Sequence, residues 1–194
     1  NINGLHVYEE GDYKAANLNV WGISDKNLFM AANDVMATQK KPFFAIIQTA
    51  DNHRPFDIPE EDKDFERPVI ANEELLKYGF ENLKEFHAFA YTDYCIKKFM
   101  EAAKTKPYFS NTIFVFTGDH GVEGDATAIY PQAWTEQRLS DEHVPLLFYA
   151  PSLLAPQKRQ EAVSQIDILP TIAGMMQQPY LNTTLGRDLL DVNK

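Results

Sequence analysis

Thr112-Ile113-Phe114-Val115-Phe116-Thr117 runs directly into Gly118-Asp119-His120-Gly121. The first six residues are apolar or β-branched almost throughout instead of alternating, which is how a strand covered on both faces of a parallel sheet reads. In open parallel sheets, ligands gather beyond the carboxyl ends of the strands. Here the chain leaves a strand and at once presents a carboxylate and an imidazole between two glycines, which let the backbone turn sharply and approach a ligand closely. Asp119 and His120 together offer one hard oxygen and one nitrogen, a donor pair suited to Mn²⁺ or Zn²⁺ and less to Ca²⁺. The competing reading is an ordinary Asp-Gly turn.

Two further runs share the strand pattern: Phe43 to Thr49 (FFAIIQT) upstream and Val144 to Ala150 (VPLLFYA) downstream. Between the first two runs, Asn72 to Lys104 carries Leu75, Leu76, Leu83, Phe86, Phe89, Ile96, Phe99 and Met100 at helical spacing, with Gly79 placed to break it into two helices. A Ser24-Asp25 start before Asn27 to Met36 predicts a polar-capped helix, and Ser164 to Gln177 predicts a short one with Pro170 near its first turns. Strand, helix, strand, loop, strand, helix is an α/β order, so the expectation is a three-layer α/β/α arrangement around a mostly parallel sheet. Asp57 to Pro68 (DIPEEDKDFERP), charged and bounded by proline, reads as a mobile surface excursion.

The 194 residues suffice for one sizeable domain, and a 44% hydrophobic content rules out disorder. A formal charge of -10 argues against a nucleic-acid surface, which needs basic patches to neutralise phosphates. It would also be repelled by an anionic membrane unless a separate anchor supplied the attachment. Cys95, the single cysteine, permits no intrachain disulfide and reads as a packed thiol on a helix. No stretch approaches the roughly 18 apolar residues of a membrane span. The start is no signal peptide, so any anchor is expected upstream of this chain.

Three histidines lie near strand ends. His53, in Thr49-Ala50-Asp51-Asn52-His53-Arg54-Pro55-Phe56, follows the first run. If two strand ends of one sheet converge on a cleft, His53 faces Asp119 and His120. Neutral, it could donate a hydrogen bond to an anionic oxygen, and protonated it could add charge. His143, in Glu142-His143-Val144-Pro145, precedes its strand, and a ligand or substrate contact stands even with a plain surface histidine there. His87 falls within the long helical segment and reads as structural; His6 reads as a surface residue.

The order of these segments resembles the lipoteichoic acid synthase branch of the sulfatase-like proteins, within the alkaline phosphatase superfamily. Asn19-Val20-Trp21-Gly22-Ile23-Ser24-Asp25 looks like its WGxxD segment. Lys41 to Phe44 with Thr49 to Phe56 looks like its KPFF strand and TxxNHxPF loop. Phe89 to Tyr94 is similar to its YxDxxI helix, and Phe116 to Gly121 to its GDHG metal motif. Val144 to Pro151, Ser164 to Thr171 and Gly186 to Leu189 match its VPLLIYxP, SQxDILPT and GRDLL segments.

The resemblance implies that residues 1–194 are the C-terminal portion of a single sulfatase-like catalytic domain, with the part bearing the Thr, Ser or modified Cys nucleophile upstream. It further implies a metal-dependent phosphate- or sulfate-ester hydrolase or transferase, most like a phosphoglycerol transferase acting on a cell-envelope substrate. Asp119 and His120 would ligate one divalent metal, Mn²⁺ first, with Zn²⁺, Mg²⁺ or Ca²⁺ as alternatives. His53 and His143 would contact the substrate, a phosphate or sulfate ester that includes a phospholipid head group among its candidates. The polypeptide is expected to be inactive by itself, extracytoplasmic, and attached to the bacterial membrane only through upstream segments, with a homodimer allowed by exposed sheet edges. His120 tilts the choice toward phosphoglycerol transfer, because most sulfatases carry Asn after the metal Asp. An arylsulfatase-type hydrolase and a noncatalytic envelope-binding domain are the alternatives.

Overall fold

The structure is a computed structural model and describes residues 4–191. The chain forms two compact units, one of residues up to 110 with 121–143, the other of residues 111–120 with 144 onward.

Helix α1 (Asp25–Thr38) begins where the sequence places a cap: the Ser24 hydroxyl accepts from the Asn27 amide. Its Phe29, Asn33 and Met36 fall on one face and are buried. Helices α2 (Asn72–Lys77) and α3 (Leu83–Ala103) are separated at Gly79, whose φ of 82° suits glycine alone and ends the helical run. The Asn82 side chain caps α3 by accepting from the Glu85 amide.

Ala88, Tyr91, Cys95, Phe99 and Ala103 form the buried stripe of α3, at the spacing of three to four that one helix face requires. This stripe packs on α1, with the Phe29 and Phe99 rings stacked at 5.0 Å. Burying a large apolar side chain such as Phe29 or Phe99 contributes roughly 1.5–3 kcal/mol, and the alanines of the stripe contribute less. Cys95 lies inside this seam, where burial pushes its thiol pKa up, so it packs as an inert group. The unit also holds the short helices α4 (Gln132–Glu136) and α5 (Leu139–Glu142).

The segment Asp57–Pro68 is no mobile excursion. Asp62 and Phe65 are buried, and the Asp62 carboxylate accepts from the Tyr91 hydroxyl and pairs with Lys26. The Phe65 ring packs edge-on to Tyr91 at 5.2 Å. Along α3, Lys84 pairs with Asp57 at 2.9 Å, Lys98 with Asp64 at 2.8 Å, and the His87 ring meets the Pro68 carbonyl at 3.0 Å. Charge had suggested solvation; it proves to be the means of attachment, because lysines at helical spacing receive successive carboxylates. Lys98 holds the Asp64 carboxyl down to about 2. His87, half-buried on α3, is structural as expected, in that it ties down this segment.

In the second unit, β1 (Phe114–Thr117) pairs with β2 (Leu146–Tyr149), with Phe114 opposite Tyr149 and Thr117 opposite Leu146. Helix α6 (Ile168–Met175) follows a 3₁₀ turn, Gln165–Asp167, that is closed by a reciprocal box between Ser164 and Asp167. Asp167 also accepts from the Arg187 amide, and the Thr171 hydroxyl accepts from the Leu189 amide. The closing Gly186 to Leu189 segment is thereby tied to the start of α6.

The α/β class holds, and the described sheet is partial. At the level of single elements two expectations change. The β1–β2 pair is antiparallel. Uniform apolarity reports how a strand is covered and says nothing of its direction, which the connection decides. Phe43 to Thr49 forms no regular element and enters no ladder among the described residues, and Phe44 and Ile46 are 67% and 82% exposed. Strand propensity alone cannot make a strand without a neighbour to satisfy its backbone.

Replacing Asp62 with Ala is expected to cost about 2–4 kcal/mol in urea unfolding, because it strands a buried tyrosine hydroxyl and the Lys26 ammonium. A loss below about 0.5 kcal/mol, the size of a surface substitution, would show the segment to be unanchored.

Candidate active site

Asp119 and His120 leave the end of β1 on an exposed turn. The Asp119 Oδ1 accepts from the His120 amide at 3.0 Å, which orients the carboxylate within the turn. Gln165, at the start of the 3₁₀ turn before α6, donates its Nε2 to the carbonyls of Gly118 at 2.6 Å and Asp119 at 3.3 Å. The pair therefore sits between a strand end and a side-chain clamp.

The glycines serve chain packing more directly than ligand approach. A Cβ at Gly121 would stand 2.1 Å from the Ser140 carbonyl oxygen, and the Gly121 amide donates to Asp141, so only glycine allows this segment against α5. A Cβ at Gly118 would meet Val144 at 3.0 Å.

His53 belongs to the other unit and does not follow a paired strand, so the strand-end rule does not place it. Two aspartates organise its loop. The Asp51 Oδ2 accepts from the Asp25 amide at 2.7 Å, while the Asp25 Oδ1 accepts from the Ala50 and Asp51 amides at 2.8 and 3.3 Å. Thr92 of α3 reaches the second Asp25 oxygen at 3.4 Å. Both carboxylates are buried. Burial pushes the Asp25 carboxyl up, against the pull of these hydrogen bonds. Burial, and then the neighbouring Asp25 charge, push Asp51 up to about 7.

From this base the loop runs to a tight turn, in which the Phe56 amide donates to the His53 carbonyl at 2.7 Å. Phe56 is buried in the left-handed region at φ 61°, a conformation kept only where the surroundings over-determine it. The His53 ring stacks on Trp21 at 4.7 Å with 27° between the planes.

His143 caps α5 and presents its ring edge-on to Trp134 at 5.2 Å and to Tyr130 at 6.0 Å, those two rings being stacked at 4.2 Å. It borders an open cavity of about 170 Å³ that also involves Tyr78, Val122, Ile129, Tyr130 and Ser140.

The structure thus brings Asp119 and His120 together on one turn and gives His53 and His143 each a separate aromatic setting. Reading residues singly missed the Asp25–Asp51 exchange and the Gln165 clamp. Asp25 had looked like part of a helix cap, and no spacing rule links it to Asp51. A carboxylate beside a capping serine, at the first position of a helix, was the one available signal.

The sequence profile of the sulfatase family matches residues 1–178. The chain belongs to the sulfatase family. Lipoteichoic acid synthase 1 of Bacillus subtilis is 24% identical over 192 residues, covering 94% of this chain and 28% of its own length. The lipoteichoic acid synthase of Staphylococcus saprophyticus is 25% identical over 190 residues, covering 92% of this chain and 28% of its own length. This sulfatase-family chain therefore spans a little over a quarter of these curated relatives. Among solved structures, a protein in the alkaline phosphatase superfamily from Vibrio parahaemolyticus superposes with a TM-score of 0.69 at 25% identity, covering 92% of this chain and 40% of that one.

Enzymes of the superfamily generally use divalent metals. Asp119 and His120, exposed in a turn whose carbonyls are clamped, carry the oxygen and nitrogen donor types that such an ion takes. Among the described residues no cluster of three or more His, Cys, Asp or Glu side chains could hold an ion by itself.

The raised Asp51 carboxyl sets a pH dependence. Its folded-state value lies above the unfolded one, so its contribution is complete below about pH 4 and is lost as pH rises through about 7. Stability is expected to fall by roughly 2–3 kcal/mol between pH 5 and pH 8 in urea titrations, and Asp51→Asn is expected to flatten that slope. A wild-type profile that is flat or rises over this range would contradict the buried pair.

Proposed function

We propose that this chain is the C-terminal portion of a metal-dependent phosphate- or sulfate-ester transferase or hydrolase, most like a phosphoglycerol transferase acting on a cell-envelope substrate. The observation that carries the reading is the Asp119-His120 pair on a clamped turn directly beyond β1. The names of the lipoteichoic acid synthase relatives support the phosphoglycerol assignment over an arylsulfatase-type one.

Asp119 and His120 would supply two ligands to one divalent ion, Mn²⁺ before Zn²⁺, Mg²⁺ or Ca²⁺. Such an ion polarises a phosphoryl or sulfuryl oxygen and lowers the pKa of an attacking hydroxyl. His53 would donate to an anionic oxygen of the ester, and His143 would contact its polar head. The hydroxyl nucleophile is assigned to protein outside these 194 residues, which leaves this polypeptide inactive by itself. The whole protein would work on the extracytoplasmic face of a bacterial membrane, held there by segments outside this chain. No helix among the described residues is long and apolar enough to cross a membrane.

A noncatalytic envelope-binding domain is the second reading. Calorimetry with Mn²⁺ separates the two. Two protein ligands leave most of the coordination sphere to water, so the chain is expected to bind Mn²⁺ at micromolar affinity or weaker, with binding lost in Asp119→Ala and His120→Ala. Nanomolar affinity would contradict a two-ligand site. Binding that survives both substitutions, or no Mn²⁺ response at all, favours the noncatalytic domain.

A further inference from the structure

The His53 loop is gripped from one side by a tryptophan that contributes little to the core. Trp21 is 53% exposed, and its neighbour Val20 is 89% exposed. A half-exposed indole forgoes much of the burial that would make it a stabilising residue. Its contacts are instead directional. One ring face lies on the His53 imidazole at 4.7 Å, and Nε1–H donates to the Arg54 carbonyl at 2.7 Å.

The backbone beneath the indole is itself fixed. Trp21 donates its amide to Asn19 Oδ1 at 2.9 Å, within a small turn closed by the Asn19–Gly22 bridge. From the same turn, Asn19 Nδ2 reaches Asp57 Oδ2 at 3.4 Å. One turn of chain therefore holds the loop at positions 53, 54 and 57. On the opposite flank, the Asp25–Asp51 exchange holds its base at positions 50 and 51.

A histidine side chain has two free torsions, and its backbone alone does not set the plane of its ring. A ring stacked on a fixed indole keeps its face covered and its nitrogen-bearing edge in one plane. We infer that Trp21 is a positioning residue for His53: it sets the imidazole plane by stacking and the loop register through Arg54, so that a ring nitrogen is presented ready-oriented to an anionic ester oxygen. This rests on the reading of His53 as the substrate contact. The same arrangement limits the role of Trp21 to orientation, since its only polar hydrogen is already donated to a backbone carbonyl.

The test uses the full chain with Trp21→Leu, Trp21→Phe and His53→Ala. Two quantities are measured: the NMR shifts of the His53 ring protons, and the calorimetric affinity for inorganic phosphate and for glycerol phosphate. Trp21→Leu is expected to move the His53 signals toward those of an unstacked imidazole and to weaken both ligands by roughly three- to tenfold, the worth of one aromatic pair. Trp21→Phe, which keeps a ring but loses the Nε1–H, should lie between Leu and wild type.

His53 signals unmoved in Trp21→Leu would overturn the inference. So would wild-type affinity in Trp21→Leu alongside a loss in His53→Ala. Equal affinity in wild type and His53→Ala would instead remove His53 from substrate binding, and the ring shifts then decide the role of Trp21 alone. The amide spectrum shows whether Trp21→Leu is folded. Should it not be, Trp21→Phe carries the test, because a smaller ring must still move the His53 signals if the two are stacked.

Discussion

Two buried carboxylates exchanging backbone hydrogen bonds hold the first unit together. Asp25 accepts from the amides of residues 50 and 51, and Asp51 accepts from the amide of residue 25. Neither side chain relies on a cation. Each carboxylate takes N–H groups that would otherwise be unsatisfied, one of them at the start of α1, where the helix dipole favours negative charge. The exchange joins the N-terminus of α1 to the residues that follow the 43–49 segment, and Thr92 brings α3 into contact with the same site.

That solution has an electrostatic consequence. Burial first, and then the charge of its neighbour Asp25, push the Asp51 carboxyl up to about 7. Elsewhere the chain handles its excess acid differently. Asp57, Asp62 and Asp64 are spent on lysines of α1 and α3, so an acidic segment is bound to a helical pair by charge. Of these, Asp62 matters most, because it is buried and also takes the Tyr91 hydroxyl. The exposed pairs add little by comparison.

The second unit uses the same device on a smaller scale. Asp167 accepts from its own Ser164 amide and from the Arg187 amide, so one carboxylate closes the turn before α6 and fastens the last described segment to it. Gln165, held in that turn, is thereby aimed at the carbonyls of Gly118 and Asp119. The turn proposed to carry the metal ligands is thus set by a residue nearly fifty positions away, in a segment whose own resemblance to the family gave no hint of that task.

The sequence by itself determined what depends on neighbours a few residues apart. Ser24 caps its helix, Gly79 divides the long helical run, β1 and β2 fall within the apolar runs, and Asp119-His120 emerges at a strand end. The ordered segments from Trp21 to Leu189 also sufficed to place the chain among sulfatase-family proteins. Tertiary structure alone decided the rest: the antiparallel sense of β1 and β2, the lack of a ladder for residues 43–49 among the described residues, the anchoring of residues 57–68, and the pairing of Asp25 with Asp51 and of Trp21 with His53. The reason is range. Caps, turns and apolar periods are satisfied within a turn or a strand. The direction of a strand, the partner of a carboxylate and the plane of an imidazole depend on groups that only folding brings together.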